Sequence, residues 1–270
     1  MKRNSRPFRN NVVIITEAST GIGRELALQL AIQGARLALV AQDGERLKEV
    51  ARECAKRGGS ALFVPTDVAD EAQSRALVEQ TVAEFGRLDM LINNAGMGMW
   101  ARFEELADLN PFERMMRVNY FGSVYCTQAA LPHLRRSRGR LVAVSSLTGK
   151  SGTPTRTGYA ATEHAMIGFF DSLRMELAGS RVSVTVVYPG FVATEIQECA
   201  SGPNGRALAT GNSSVYAADV MTAQERARQI LKASAARRRG LVMTQHGRVE
   251  MCLKLVAPGL MNRVALSWIE

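Results

Sequence analysis

Apolar residues in this chain follow two patterns that alternate along its length. Short, nearly continuous runs of Val, Ile, Leu and Ala are separated by longer segments in which apolar positions recur at helical spacing. The first run, Val12 to Ile15, reads as a strand buried on both faces. A Ser/Thr/Gly turn follows at Ser19 to Gly23, then Ile22, Leu26 and Leu30 with Ala27 and Ala31 mark a helix that Gly34 stops. The pattern predicts further strands at Arg36 to Ala41, Ala61 to Pro65, Leu88 to Ile92, Arg140 to Ser145, Arg181 to Tyr188 and Leu241 to Thr244. Between them it predicts helices at Glu45 to Lys56, about Asp70 to Phe85, Pro111 to Arg136 and Thr157 to Ala178.

Apolar strands alternating with amphipathic helices imply an α/β fold: a Rossmann-like, doubly wound parallel sheet of about seven strands with helices on both faces. Right-handed crossovers put every strand C-terminus on one edge, where ligands bind. The segments TEASTGIG, PTDV, NNAG, SSLTG and YPGFVAT each follow a strand and so gather at that edge. No repeat or low-complexity segment interrupts the pattern. The 270 residues are expected to form one domain, with a basic N-terminal arm at 1–10 and a C-terminal helical extension at 246–270. Residues 196–218 lack periodicity and read as a flap shaping a substrate crevice.

Composition narrows the function classes. The net charge of +9 sits largely in the N-terminal MKRNSRPFR and in Arg237, Arg238 and Arg239, without the aromatic interleaving of a nucleic-acid surface. No nucleic-acid partner is expected. Cys54, Cys126, Cys199 and Cys252 are scattered, and His133, His164 and His246 show no ligand spacing, so reduced thiols and no metal are expected. No apolar run approaches the roughly 20 residues of a membrane helix, and the first residues lack a signal-peptide core. The expectation is a cytoplasmic protein without a transmembrane segment, with no membrane contact by the C-terminus.

The strand, glycine turn and helix from residue 12 to residue 34 place free N–H groups and the positive end of a helix dipole at one point, which suits a phosphate. Glu17 adds a carboxylate to the same loop. From about residue 8 to residue 245 the chain resembles the classical short-chain dehydrogenase/reductase (SDR) family, in order and spacing. Thr16, Gly21 and Gly23 match its T-G-x-x-x-G-x-G cofactor loop except at the first glycine, where Glu17 stands, and the resemblance implies that Ser19 and Ile22 within the loop also meet the cofactor. Asp67 and Val68 match the adenine-contacting pair, and Asn93, Asn94, Ala95 and Gly96 the N-N-A-G signature. Pro189, Gly190, Val192 and Thr194 match the segment that holds the nicotinamide end. Asn119, Ser146 and Tyr159 match the catalytic asparagine, serine and tyrosine. The resemblance implies NAD(P)(H), a small apolar alcohol or carbonyl substrate, and a homodimer or homotetramer built through the Pro111 to Arg136 and Thr157 to Ala178 helices.

Hydride transfer to a carbonyl builds charge on oxygen, so a positioned acid must give up a proton. By resemblance Tyr159 is that acid and Ser146 donates a hydrogen bond to the same oxygen; Ser145 is expected to be structural. The family's lysine, four residues beyond the tyrosine, holds the nicotinamide ribose and lowers the tyrosine's pKa. Here that position is Glu163, which reverses the sign of the local charge. At the end of the second strand Ala41 stands where an NAD-selecting acid usually is and Gln42 where an NADP-selecting arginine often is, which tilts the expectation slightly to NADP(H) over NAD(H). Asn119 is either a helix bend or a link in the catalytic relay. Met97, Met99, Trp100, Tyr188 and Phe191 either line an apolar pocket or belong to the core. Two functions follow: an oxidoreductase whose hydride transfer is severely impaired by Glu17 and Glu163, or a catalytically inactive SDR-fold protein serving as a binding or oligomerisation module.

Overall fold

The computed structural model describes residues 6–190, 221–260 and 263. Seven parallel strands form one sheet: β1 (Val12–Thr16), β2 (Arg36–Ala41), β3 (Ser60–Pro65), β4 (Met90–Asn93), β5 (Arg140–Val144), β6 (Ser183–Tyr188) and β7 (Gly240–Val242), in the order β3-β2-β1-β4-β5-β6-β7. The helices are α1 (Gly21–Ile32), α2 (Gly44–Lys56), α3 (Glu71–Phe85), α4 (Asn110–Met115), α5 (Gly122–Ser137), α6 (Thr157–Glu176), α7 (Ala223–Ala235) and α8 (Gln245–Val256). The expected doubly wound α/β sheet is therefore present. Sequence periodicity missed α7, whose residues continue directly into the solvated arginines 237–239.

Alternation along each strand explains why the runs are apolar throughout. Val13, Ile15, Leu37, Leu39 and Ile92 pack on one side with Leu26 and Leu30 of α1, Leu47 of α2 and Ile230 of α7. Val12, Ile14, Ala38, Val40 and Leu91 pack on the other with Leu77 of α3, Cys126 and Ala130 of α5 and Phe170 of α6. Both faces of the central strands are covered, so β1 and β4 are buried at every position and carry no polar alternation, whereas the edge strand β3 is buried only at Val64. The register continues from strand to strand, with Ile14 beside Ala38 on one side and Leu91 on the other.

Two local features position the site. Strand order reverses between β1, which runs outward to β2, and β4, which runs outward to β5, so a crevice opens beyond the C-terminal ends of β1 and β4. The predicted helix Pro111 to Arg136 is interrupted by a π-helical turn, Met116–Phe121, between α4 and α5. Its one buried residue is Asn119, which accounts for the helix-bend reading of that position.

Candidate functional site

The loop after β1 leads into a helix whose N-cap residue makes no side-chain cap hydrogen bond. α1 begins after Thr20 without a side-chain cap, as α4 and α6 do, whereas Asp43, Asp70, Thr222 and Thr244 cap α2, α3, α7 and α8. The uncapped end leaves donors and a dipole for an anion. Gly21 has φ +53°, and a Cβ on Gly23 would overlap the Glu17 carbonyl and approach Asn94 Nδ2. Glycine is thus required at 23 by close packing and favoured at 21 by backbone angle.

Glu17 itself sits at φ +52°, a left-handed conformation that costs a residue with a Cβ about 1–2 kcal/mol. Its side chain is half-buried and folded into the loop, where Oε1 accepts a hydrogen bond of 3.0 Å from Ser19 Oγ. Backbone geometry therefore retains the conformation of a glycine while the side chain adds a carboxylate and engages the hydroxyl of Ser19. Ile22 is partly buried against the core behind the loop.

Thr16 and the Asn94 segment lock β1 to β4. Thr16 Oγ1 accepts from the N–H groups of Asn94 (2.8 Å) and Ala95 (2.9 Å), and Asn94 Nδ2 donates to the carbonyls of Thr16 (3.1 Å) and Glu17 (3.2 Å). Gly96 lies against Asn119, whose Oδ1 accepts from Met97 N (2.8 Å) while Nδ2 donates to Met97 O and Thr162 Oγ1, both 3.0 Å. Thr162 Oγ1 in turn donates to Tyr159 O at 2.9 Å. Asn119 thus ties the loop after β4 to α6 by a buried network; its hydrogen bonds run to Met97 and Thr162 rather than to position 163.

On the other flank, Asp67 Oδ1 accepts from Ala69 N (3.0 Å), and Val68 packs so closely on α5 that a Cβ on Gly122 would strike it. Ala41 is buried and Gln42 exposed. Asp43 is occupied as the α2 cap and pairs with Arg46 at 3.3 Å. A cavity of about 490 Å³ lies beside the glycine loop between α1 and α2, bounded by Ser19, Gly21, Arg24, Arg46 and Glu53. Arg24 reaches both Glu53 oxygens there, at 2.6 and 2.8 Å.

The third group gathers beyond β5 and α6. Ser146 caps the turn after β5, its Oγ accepting from Thr148 N at 3.2 Å. Tyr159 is buried with Met99, Ala101 and Met115. Burial pushes its hydroxyl well above the ordinary value and Glu163 pushes in the same direction, while hydrogen bonding from Ser146 and the charge of Arg156 pull it down. Glu163 is 4 % exposed, and burial lifts its carboxyl to about 7, against the lowering effect of Ser145. Ser145 Oγ donates to Glu163 Oε2 at 2.7 Å. Ser145, expected to be merely structural, is the hydroxyl that satisfies the glutamate. Met97 and Met99 pack with the Tyr159 cluster, and Trp100 lies under the Arg156 guanidinium; Tyr188 packs in the sheet core instead.

At the end of β6, Pro189 O accepts from Leu147 N at 3.4 Å, and a Cβ on Gly190 would run into Thr244. Phe191, Val192, Thr194 and the 196–218 segment lie outside the described residues. Among the described residues no cluster of His, Cys, Asp and Glu could hold a metal ion, and no helix is long and apolar enough to cross a membrane.

A crevice at a strand-order reversal, an uncapped helix behind a glycine loop, and Ser146 hydrogen-bonded to Tyr159 together have the layout of an SDR-type fold. Residues 11–203 match the family model described as short chain dehydrogenase, and the chain belongs to that family of NAD(P)-dependent oxidoreductases. It is 43% identical over 196 residues to the Arabidopsis thaliana protein named 11-beta-hydroxysteroid dehydrogenase 1A, an alignment covering 72% of this chain and 56% of that one. The chain thus spans just over half the length of that relative. A Dictyostelium discoideum protein named dehydrogenase/reductase SDR family protein 7-like is 33% identical over 261 residues, covering 94% of this chain and 80% of the relative. Among solved structures, a Burkholderia phymatum short chain dehydrogenase/reductase in complex with NAD superposes with a TM-score of 0.83 at 25% identity, covering 94% of this chain and 96% of that one. A Thermococcus sibiricus alcohol dehydrogenase complexed with 5-hydroxy-NADP gives 0.74 at 26% identity, covering 87% and 96%.

Proposed function

We propose that the chain holds NAD(P)(H) across the ends of β1 and β4 and reduces or oxidises a small apolar carbonyl or alcohol, with turnover severely suppressed by Glu163 and cofactor affinity weakened by Glu17. The buried carboxyl of Glu163, one helical turn beyond Tyr159, carries this reading. The cradle fits a dinucleotide in its backbone: uncapped N–H groups at α1, glycines where a Cβ would collide, and Asn94 locked beneath them. Thr16, Ser19, Gly21, Ile22 and Gly23 would hold the diphosphate side, with Asp67 and Val68 at the adenine. Asn94, Ala95, Gly96, Pro189, Gly190, Val192 and Thr194 would lie along the rest. When bound, reduced nicotinamide supplies a hydride to the carbonyl carbon.

Tyr159 gives its proton to the carbonyl oxygen while Ser146 hydrogen-bonds that oxygen, so each acquires a defined partner as the alcohol forms. A carboxylate at 163 opposes the tyrosinate that remains. Protonated, Glu163 no longer opposes it, but neither does it supply the missing cation. Asn119 holds the frame through Met97 and Thr162. An apolar substrate is supported by the partly buried Met97 beside the Tyr159 cluster, and by a relative named for a hydroxysteroid. NADP(H) is favoured over NAD(H), because Ala41 offers no acid to ribose hydroxyls and Arg46 stands beside the adjoining cavity.

A second reading, an inactive SDR-fold binding or oligomerisation module, is favoured by an aromatic row on the α5–α6 side. Phe121 is 39 % exposed, stacks on Tyr125 at 5.9 Å and meets Tyr120 at 5.1 Å. That row suits a homodimer or homotetramer. Thermal melts with NADPH and with NADH, followed by turnover of the unaltered chain and of Glu163→Lys, separate the readings. The first reading expects a nucleotide-dependent rise in Tm and turnover that appears with the lysine. Brisk ketone reduction by the unaltered chain refutes the loss-of-acid argument, and no response to either nucleotide refutes cofactor binding.

A further inference from the structure

Arg156 occupies a place that a cation normally avoids. It is the N-cap of α6, at the positive end of the helix dipole, yet it is 9 % exposed. A guanidinium at that end is repelled by the helix dipole. The chain spends further strain to place it: Thr155, immediately before it, adopts φ +65°, a left-handed conformation disfavoured for any β-branched residue. Two contacts fix the arrangement. The Arg156 guanidinium sits 4.5 Å from the centroid of the Trp100 ring, and Ala101 N donates to Thr155 O at 2.9 Å. The strand-end loop that carries Met99 and Ala101 against Tyr159 is therefore the same loop that seats Arg156.

Position on the helix completes the geometry. Tyr159 lies three residues beyond Arg156, one turn along the same face. Helical side chains lean toward the N-terminus, so Tyr159 leans toward the turn that Arg156 begins. We propose that Arg156, seated on Trp100, is a positioning residue that supplies Tyr159 with the positive charge missing from position 163. This rests on the reading of Tyr159 as proton donor. As Tyr159 Oη passes its proton to the carbonyl oxygen and hydride reaches the carbonyl carbon, the tyrosinate left behind faces a permanent cation, since guanidinium does not deprotonate in this range.

The charges acting on Tyr159 support the assignment. Arg156 at the helix start lowers its pKa and Glu163 one turn later raises it; Ser146 hydrogen-bonds it, and the surrounding Met99, Ala101 and Met115 are uncharged. The two charged groups compete. A neutral side chain at 163 leaves Arg156 as the dominant charge, and a lysine there makes it redundant.

That competition gives the test. NADPH oxidation with benzaldehyde as the probe is followed against pH in Glu163→Gln and Glu163→Lys, each with and without Arg156→Gln, with Tm recorded for every protein. In the glutamine background, loss of Arg156 is expected to cut kcat by about tenfold or more and to move the basic limb of the pH profile upward, with Arg156→Lys restoring most of both. In the lysine background the same substitution is expected to cost less than about threefold, because the lysine already supplies the charge. Equal losses in the two backgrounds, or an unmoved basic limb, overturn the proposal and leave a structural role. Turnover in Glu163→Lys but none in Glu163→Gln overturns it too. Absence of turnover in Glu163→Lys, with NADPH still raising Tm, refutes the reading of Tyr159 and the proposal falls with it. Should Arg156→Gln fail to fold, Arg156→Lys decides: a loss of turnover in the folded lysine variant overturns the proposal.

Discussion

Glu163 should make the stability of this protein fall as pH rises from about 4.5 to about 7, the reverse of the usual carboxylate. Most paired carboxylates have depressed pKa values and lose stability in acid. Glu163 is raised instead, from an ordinary 4.5 to about 7, because burial penalises its charged form more than the Ser145 hydrogen bond relieves it. Between those two values the folded chain holds a proton that the unfolded chain has released. Stability therefore declines with pH over that window. Its contribution is intact below about pH 4.5 and fully lost above about pH 7. The gap of about 2.5 pH units corresponds to about 3 kcal/mol, an order-of-magnitude figure. In a domain of this size that is roughly 6–9 °C in Tm. Other groups titrate over the same interval, so the informative quantity is the difference between the unaltered chain and Glu163→Gln, which keeps shape and removes the ionisation. Urea unfolding at about pH 5 and about pH 8 should show the two proteins within about 1 kcal/mol of each other in acid and diverging by about 3 kcal/mol in base, with the glutamine variant the more stable. Parallel pH dependence in the two proteins would refute a buried, protonated Glu163.

Three further outcomes are expected. Glu17→Gly removes a left-handed residue with a Cβ and a carboxylate from the cofactor loop; it should raise stability by about 1 kcal/mol in urea unfolding and tighten NADPH binding by at least about tenfold in fluorescence titration. Gly23→Ala forces a methyl into the Glu17 carbonyl, so calorimetry should show a loss of about 1–3 kcal/mol and the nucleotide-dependent rise in Tm should vanish. Asn119→Ala leaves Met97 N–H and O without their side-chain partner inside the fold; a cost of about 2–3 kcal/mol in urea unfolding is expected, and hydrogen exchange at Met97 should quicken.

The parts of this molecule that depend on periodicity were legible from the residues alone, and the parts that depend on contact were not. β2 runs over Arg36–Ala41 as its apolar run implies, and α6 begins at Thr157 as predicted. α7 escaped because its charged residues obscure a narrow apolar face of Ala227, Ile230 and Leu231 that needs α1 and the sheet to make sense. The π turn escaped for a different reason: Met116 to Phe121 has no local signal for an extra residue, and Asn119 turns inward only because Met97 and Thr162, far along the chain, offer partners. Glu17 shows what a matched position conveys. Its glycine-like φ follows from the loop's backbone, which the neighbouring glycines reveal, while the bond from Ser19 depends on where the side chain goes.

Glu163 shows the same division where it matters most for chemistry. Its place one turn after Tyr159 is written in the spacing of α6, and with it the unfavourable sign of an ionised carboxylate. The spacing does not reveal that Ser145 meets it, nor that Arg156, whose neighbour Trp100 lies 56 positions earlier in the chain, acts on Tyr159 with the opposite sign. Ser145 follows β5 and Trp100 lies in the loop after β4, gathered at one edge because those strands are parallel, while Arg156 begins α6 itself. A substitution that looks like a simple loss of a lysine is, in three dimensions, a buried acid with its own hydroxyl and an opposing cation nearby. On the proposed reading, the charges of Glu163 and Arg156 together, rather than the identity of residue 163 alone, set what Tyr159 can do.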